Sequence, residues 1–258
     1  MNKYDIVRKI EEFAPLMSQE KWDCSGWAVE IPHPEIKDFD PPSRGGYSGW
    51  ALDDCFSCPT GEVFEVRGQN VNKILFALTV TDKIVKQARE NGCDMIISHH
   101  PLFYVPLDWK DINIYCAHTN LDKAEGGTTD RLIQELGFKK TESYEFVRIV
   151  KLKEPITVEE LRQKLLRISP KLRYINNYNT TSIQTIGFCA GSGSEFINET
   201  DTDAFVTGDL KFHTALDCKQ VVFDIGHFES EQFAPKILKE ITEIEENGVI
   251  ADEKSPFI

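Results

Sequence analysis

The sequence predicts an α/β fold in two layers or lobes, and three observations lead there. The chain has 258 residues, 41% hydrophobic and 28% charged, a globular composition long enough for one large or two smaller cores. From residue 73 onwards, short continuous apolar runs alternate with amphipathic segments of helical spacing. The same rhythm restarts after Gly137. Residues 1–137 are therefore expected to form a first lobe with an irregular insertion at about 29–68, and residues 138–258 a second.

Each element has a local reason. Ile6, Val7, Ile10 and Phe13 recur at helical spacing over 5–13, and Pro15 ends that helix. Prolines and glycines between 29 and 68 break any long period, so an irregular excursion with at most one short hairpin, not a domain, is expected there. Residues 73–80 read as a strand covered on both faces. Asp82 is placed as the cap of a helix running through Asn91, with Ile84, Val85 and Ala88 inward. Strands follow at 95–98 and 112–117, then a helix over 128–136 stopped by Gly137. In the second lobe a strand at 145–152 precedes a helix at 157–168 with Leu161, Leu165 and Leu166 inward. Further strands are expected at 185–189, 204–207 and 221–225. Helices are expected to begin near Asp209 and near Glu229, the last running to about Glu246.

Composition excludes several classes of function. A net charge of −13 argues against general nucleic-acid or anionic-membrane binding. No apolar run approaches the ~18–20 residues that span a bilayer, and the first residues carry no signal-peptide apolar core, so a cytoplasmic protein is expected. Seven scattered cysteines fit reduced, mostly buried thiols better than a disulfide framework. Cys55 and Cys58 form a lone CxxC with no second pair at zinc-site spacing, and the following Pro59-Thr60-Gly61 reads as a turn.

The histidines carry the chemical signal. His99 and His100 follow one apolar run, His118 a second and His227 a third, so all four stand where strands end. The carboxyl ends of strands form the ligand crevice of open α/β sheets. One histidine so placed is commonly a hydrogen-bonded core or surface residue; three repeats of the placement suggest convergence. Asp122 follows His118 in His118-Thr119-Asn120-Leu121-Asp122, and a helix starting at Gly226 would put His227 and Glu231 on one face at i and i+4. Imidazoles with Asp and Glu make a mixed N/O environment suited to Zn, Mn, Fe or Co rather than Ca or Mg. Asp209 and His213 share the i, i+4 spacing, though from spacing alone an Asp cap plus a satisfied histidine is the favoured reading. Gly191-Ser192-Gly193-Ser194 offers a weak anion-nest signal, better read as a turn.

Four segments appear together in one order: Ser98-His99-His100-Pro101-Leu102-Phe103, Ala117-His118-Thr119-Asn120-Leu121-Asp122, Thr207-Gly208-Asp209 to His213-Thr214-Ala215-Leu216-Asp217, and Gly226-His227-Phe228-Glu229-Ser230-Glu231. With Trp22-Asp23 near the start, they resemble the Ngg-interacting-factor-three-like family, whose members are also named GTP cyclohydrolase I type 2 homologues. The resemblance implies a two-part α/β fold with the metal site at strand carboxyl ends between the lobes, and a ring-shaped homo-oligomer, often a hexamer. It also implies two divalent ions per chain on His99, His100, Asp122, His227 and Glu231. His118 and His213 match further motif positions, which implies supporting or proton-transfer roles. The family's Trp-Asp-Asn-Val-Gly reads here as Trp22-Asp23-Cys24-Ser25-Gly26.

The function that follows is a metal-dependent hydrolase whose two cations activate water against a small anionic substrate, GTP or a phosphoester. Lys123, Arg131 and Lys211 stand near the motifs as candidate cations for that anion. The alternative is a non-catalytic metal-binding scaffold or regulatory protein that uses the ring for assembly.

Overall fold

The structure is a computed structural model and describes residues 1–31 and 70–257. Cys55, Cys58 and all but the first three residues of the 29–68 segment lie outside the described residues. Two mixed sheets organise the chain. The first has five strands in the order β1 (Gly26–Val29), β4 (Asn113–Cys116), β3 (Met95–Ser98), β2 (Ile74–Ala77) and β11 (Gly248–Ile250). β4, β3, β2 and β11 run parallel, and β1 joins β4 antiparallel.

Alternating side chains send the first sheet into two cores. Ile74 and Phe76 pack with Ile6, Val7 and Ile10 of α1 (Lys3–Phe13) and with Ile237 and Leu238 of α8 (Ala234–Thr242). Leu75 and Ala77 face the other way, onto Ile84, Val85 and Ala88 of α2 (Asp82–Glu90). That two-sided burial is why β2 is apolar throughout rather than alternating.

The second sheet has six strands in the order β5 (Glu142–Tyr144), β6 (Val147–Thr157), β8 (Ser182–Ser192), β9 (Ala204–Gly208), β10 (Val221–Asp224) and β7 (Arg173–Ile175). β8, β9 and β10 are parallel, flanked by antiparallel edges. Ile186, Phe188, Val206 and Phe223 pack on α4 (Thr128–Glu135) and α5 (Val158–Leu165). α5 opens on a capping box in which Thr157 Oγ1 accepts the Glu160 amide at 3.1 Å and Glu160 Oε2 accepts the Thr157 amide at 2.7 Å.

Several expectations shift. Thr81, not Asp82, caps α2 by accepting the Ile84 amide. The helix expected from Asp209 begins only at Phe212, as α6 (Phe212–Asp217), because Asp209 takes a left-handed φ of 51°. The helix expected from Glu229 to Glu246 is two, α7 (His227–Glu231) and α8; Pro235 in the first turn of α8 cannot continue α7, and α8 stops at Thr242. The lobes also exchange segments. Leu132, Ile133 and Leu136, expected in the first lobe, join the core of the second sheet, while α8 and β11 return to the first. The chain thus crosses between the two sheets more than once, which brings their strand ends together.

Cys93, Cys116, Cys189 and Cys218 are buried and unbridged; Cys24 is exposed. Among the described residues no helix is long and apolar enough to cross a membrane.

Candidate metal centre

Two sheets contribute to one cluster. His99 and His100 follow β3, and His118 follows β4 just ahead of α3 (Thr119–Lys123), which carries Asp122. From the second sheet, Gly226 turns at φ 85° after β10 and starts α7, placing His227 and Glu231 on one helical turn. Three groups of ligand-bearing residues have their ligand atoms within 4.8 Å of one another: His99, Asp122 and Glu231; His100, His227 and Glu231; and His99, His100 and His118.

Glu231 joins the first two groups. Its Oε1 lies 3.8 Å from His99 Nε2, while Oε2 lies 2.9 Å from His100 Nε2 and 3.0 Å from His227 Nε2. The carboxylate is 3% exposed, and Gly191 makes room for it. Ser230 beside it accepts the Gly191 amide at 2.9 Å. Asp122 is buried too, accepting the Thr128 hydroxyl proton, with Oδ1 3.5 Å from His99 Nε2.

Each imidazole is oriented from behind. His99 donates Nδ1–H to the Ala117 carbonyl at 2.8 Å. His100 Nδ1 bonds Thr79 Oγ1 at 2.6 Å, and His227 Nδ1 bonds Asp209 Oδ2 at 2.6 Å. His118 Nδ1 lies 2.9 Å from Asp23 Oδ1. Asp23 in turn accepts from the Thr119 amide and hydroxyl and from Ser25 Oγ. Partners of this kind fix the tautomer and orientation of metal-ligating histidines.

The charges of the cluster lean on one another. Burial works against charging His99, yet the Asp122 and Glu231 carboxylates raise it to about 9. The hydrogen bond to Glu231 raises His227 to about 10. Burial lowers His100, and burial pushes Asp122 up. Burial also opposes ionisation of Glu231, but its imidazole partners hold it well below the usual carboxylate range. Likewise the bonds from His118 and Thr119 outweigh burial at Asp23 and hold it low.

One atom decides how well a metal fits. His99 Nε2 is wholly buried and has no hydrogen-bond partner, although two carboxylates face it. At 3.5 and 3.8 Å they are too far to bond it well. That spacing matches two ligand atoms each about 2.0–2.2 Å from a shared cation. A buried unpaired nitrogen is costly, and a divalent ion relieves it.

Other sequence candidates fall elsewhere. His213 is exposed on α6 against the Phe212 ring and belongs to none of the three groups, because Asp209 turns to His227 instead of starting that helix. Lys123 pairs with Glu20 at 2.6 Å, Arg131 with Glu240 and Lys211 with Glu195 at 3.2 Å. The Gly191 and Gly193 amides are taken by Ser230 and Thr207 hydroxyls, which leaves them no anion to hold, and Gly191 and Ser192 continue β8 instead of forming the expected turn. Sequence reading did not single out Thr79, Thr128 or Gly191 as supports of the ligands. It quoted Asp23 only within a motif.

Comparison with known proteins supplies the family and supports the fold. A GTP cyclohydrolase 1 type 2 homolog of Clostridium perfringens is 32% identical over 230 residues, covering 74% of this chain and 87% of that protein. NIF3-like protein 1 of Drosophila melanogaster is 26% identical over 275 residues, covering 92% and 82%. The crystal structure of TTHA1606 from Thermus thermophilus superposes with a TM-score of 0.76 at 20% identity, covering 100% of both chains, and supports the fold. The profile of the Duf34/NIF3 (NGG1p interacting factor 3) family matches residues 59–253, and the chain belongs to that family.

Proposed function

We propose that the chain is a metal-dependent hydrolase with two divalent cations, of Zn, Mn, Fe or Co, held by His99, His100, Asp122, His227 and Glu231. The observation that carries this reading is the buried, unpartnered Nε2 of His99 between two buried carboxylates. Two cations bound there would lower the pKa of a shared water and polarise the bond it attacks.

The side chains divide the remaining work. Glu231 offers one oxygen to each group and would hold both cations. Ala117, Thr79 and Asp209 keep three imidazoles aimed inward. With Nδ1 of His118 engaged by Asp23, its Nε2 is the atom that takes a proton from the attacking water or returns one to the leaving group.

The substrate is a small anion. Because Lys123, Arg131 and Lys211 are already paired, its negative charge would be met by the cations rather than by free basic side chains. Trp22, 63% exposed and 6.1 Å from the His118 ring, gives a flat face on which a purine can stack. This favours a nucleotide such as GTP, in which one water would add at C8 and open the imidazole ring to a formamide, and a second would hydrolyse that formamide to release formate; a phosphoester uses the same groups. The ring-shaped hexamer and the cytoplasmic location belong to the same reading.

Turnover of GTP and of phosphoesters by metal-loaded wild type and H99A is the test. Activity lost in H99A with an unchanged circular dichroism spectrum supports the hydrolase. Wild type that binds metal but turns over neither substrate leaves the scaffold reading.

A further inference from the structure

Two of the three ligand groups serve the two-cation reading; the third, His99, His100 and His118, does not. It contains no carboxylate, and it borrows His99 and His100 from the other two. All three imidazoles have Nδ1 tied from behind, to the Ala117 carbonyl, Thr79 Oγ1 and Asp23 Oδ1. Their rings lie 5.1, 5.2 and 5.8 Å apart, tilted or edge-on to each other rather than stacked. Three imidazoles converging with their outer nitrogens fixed, one of them backed by a buried carboxylate, form the donor set of an open three-histidine zinc site.

We propose that the cluster has a second, mutually exclusive way to bind metal: a single cation on His99, His100 and His118, with Asp23 as the positioning residue behind His118. This rests on the reading that the cluster binds divalent cations. It is exclusive because each imidazole has only Nε2 left to offer an ion once Nδ1 is tied from behind, so His99 and His100 cannot serve this ion and the carboxylate-bridged pair together. His118 changes role with occupancy, from proton carrier beside two ions to ligand of one. The one-ion state needs neither Glu231 nor Asp122, and soft-borderline Zn or Co suits it better than Mn.

Metal per folded chain, by equilibrium dialysis against Zn(II) and Co(II) and mass spectrometry, tests the proposal. Wild type holds two ions. E231Q removes the ligand common to both carboxylate groups and keeps one ion, whose Co(II) absorption is that of a four-coordinate site. E231Q/H118A keeps none, and E231Q/D23N binds that ion about 10–100-fold more weakly. A folded E231Q chain that holds no metal, or an E231Q/H118A chain that still holds one, overturns the three-histidine site. Wild type that holds no metal overturns the underlying metal-centre reading instead. D122N/H227A, with and without H118A, removes one ligand from each carboxylate group and decides the question where E231Q does not fold.

Discussion

Gly191 of β8 and Glu231 of α7 fit together on the second-sheet side of the site: a methyl on Gly191 would overlap Glu231 Oε1 and stand 3.2 Å from its Cδ. Gly191 also holds a φ of 67°, where an L side chain costs about 1–2 kcal/mol. Glu231 belongs to both carboxylate-bearing groups. G191A is therefore expected to displace that carboxylate, lower the melting temperature by a few degrees, and cut metal content at both positions. Metal analysis and thermal melting on the same sample check this; full occupancy in G191A would mean the cradle does not set the carboxylate.

Thr79 holds His100 through its hydroxyl, while its amide is taken by Glu253 at 2.9 Å. T79V removes only the hydroxyl. Metal affinity is expected to fall about 10–100-fold with the fold retained, measured by competition with a chromophoric chelator. An affinity equal to wild type would remove Thr79 from the site.

Arg148 is 1% exposed and donates to the carbonyls of Asp122, Lys123, Ala124 and Glu145, and to Asp130. It ties the end of α3, and so the Asp122 carboxylate, to β6 of the second sheet. R148M leaves those buried acceptors without a donor and is expected to cost about 3–5 kcal/mol in denaturant unfolding. A loss below about 1 kcal/mol would show that water replaces the guanidinium.

Acid and base should act oppositely on the metal-free and metal-loaded chains. His99 and His227 are raised in the fold from 6.5 to about 9 and about 10. Their stabilising contribution is full below about pH 6.5 and is lost as the pH rises through those folded values. In chelator, the melting temperature is expected to fall from about pH 6.5 to about pH 9.5. With metal present it should hold or rise over that window, since ligation needs neutral imidazoles. A melting temperature in chelator that rises with pH would contradict the cluster's electrostatics.

The parts of the fold that the sequence made legible were those in which burial leaves a pattern. Met95, Ile96 and Ile97 are apolar because both faces of β3 are covered, and the histidines stand out because apolar runs stop beside them. The edge strands β1, β5, β7 and β11, of three or four residues, and the five-residue α3 are too short to show a period. Asp23 is 95 residues from His118, and Thr79 is 21 from His100, so no local spacing announces either pair. His213 shows the opposite failure. Its spacing from Asp209 suggested a pair, but a left-handed turn at Asp209 redirects that carboxylate to His227.

Metal content per chain in wild type and H227A shows whether the cluster holds two cations. Close to two divalent ions are expected per wild-type chain, falling to about one in H227A, which keeps His99, Asp122 and Glu231. Wild-type protein that stays free of metal after reconstitution with Zn, Mn, Fe and Co would contradict the two-cation reading.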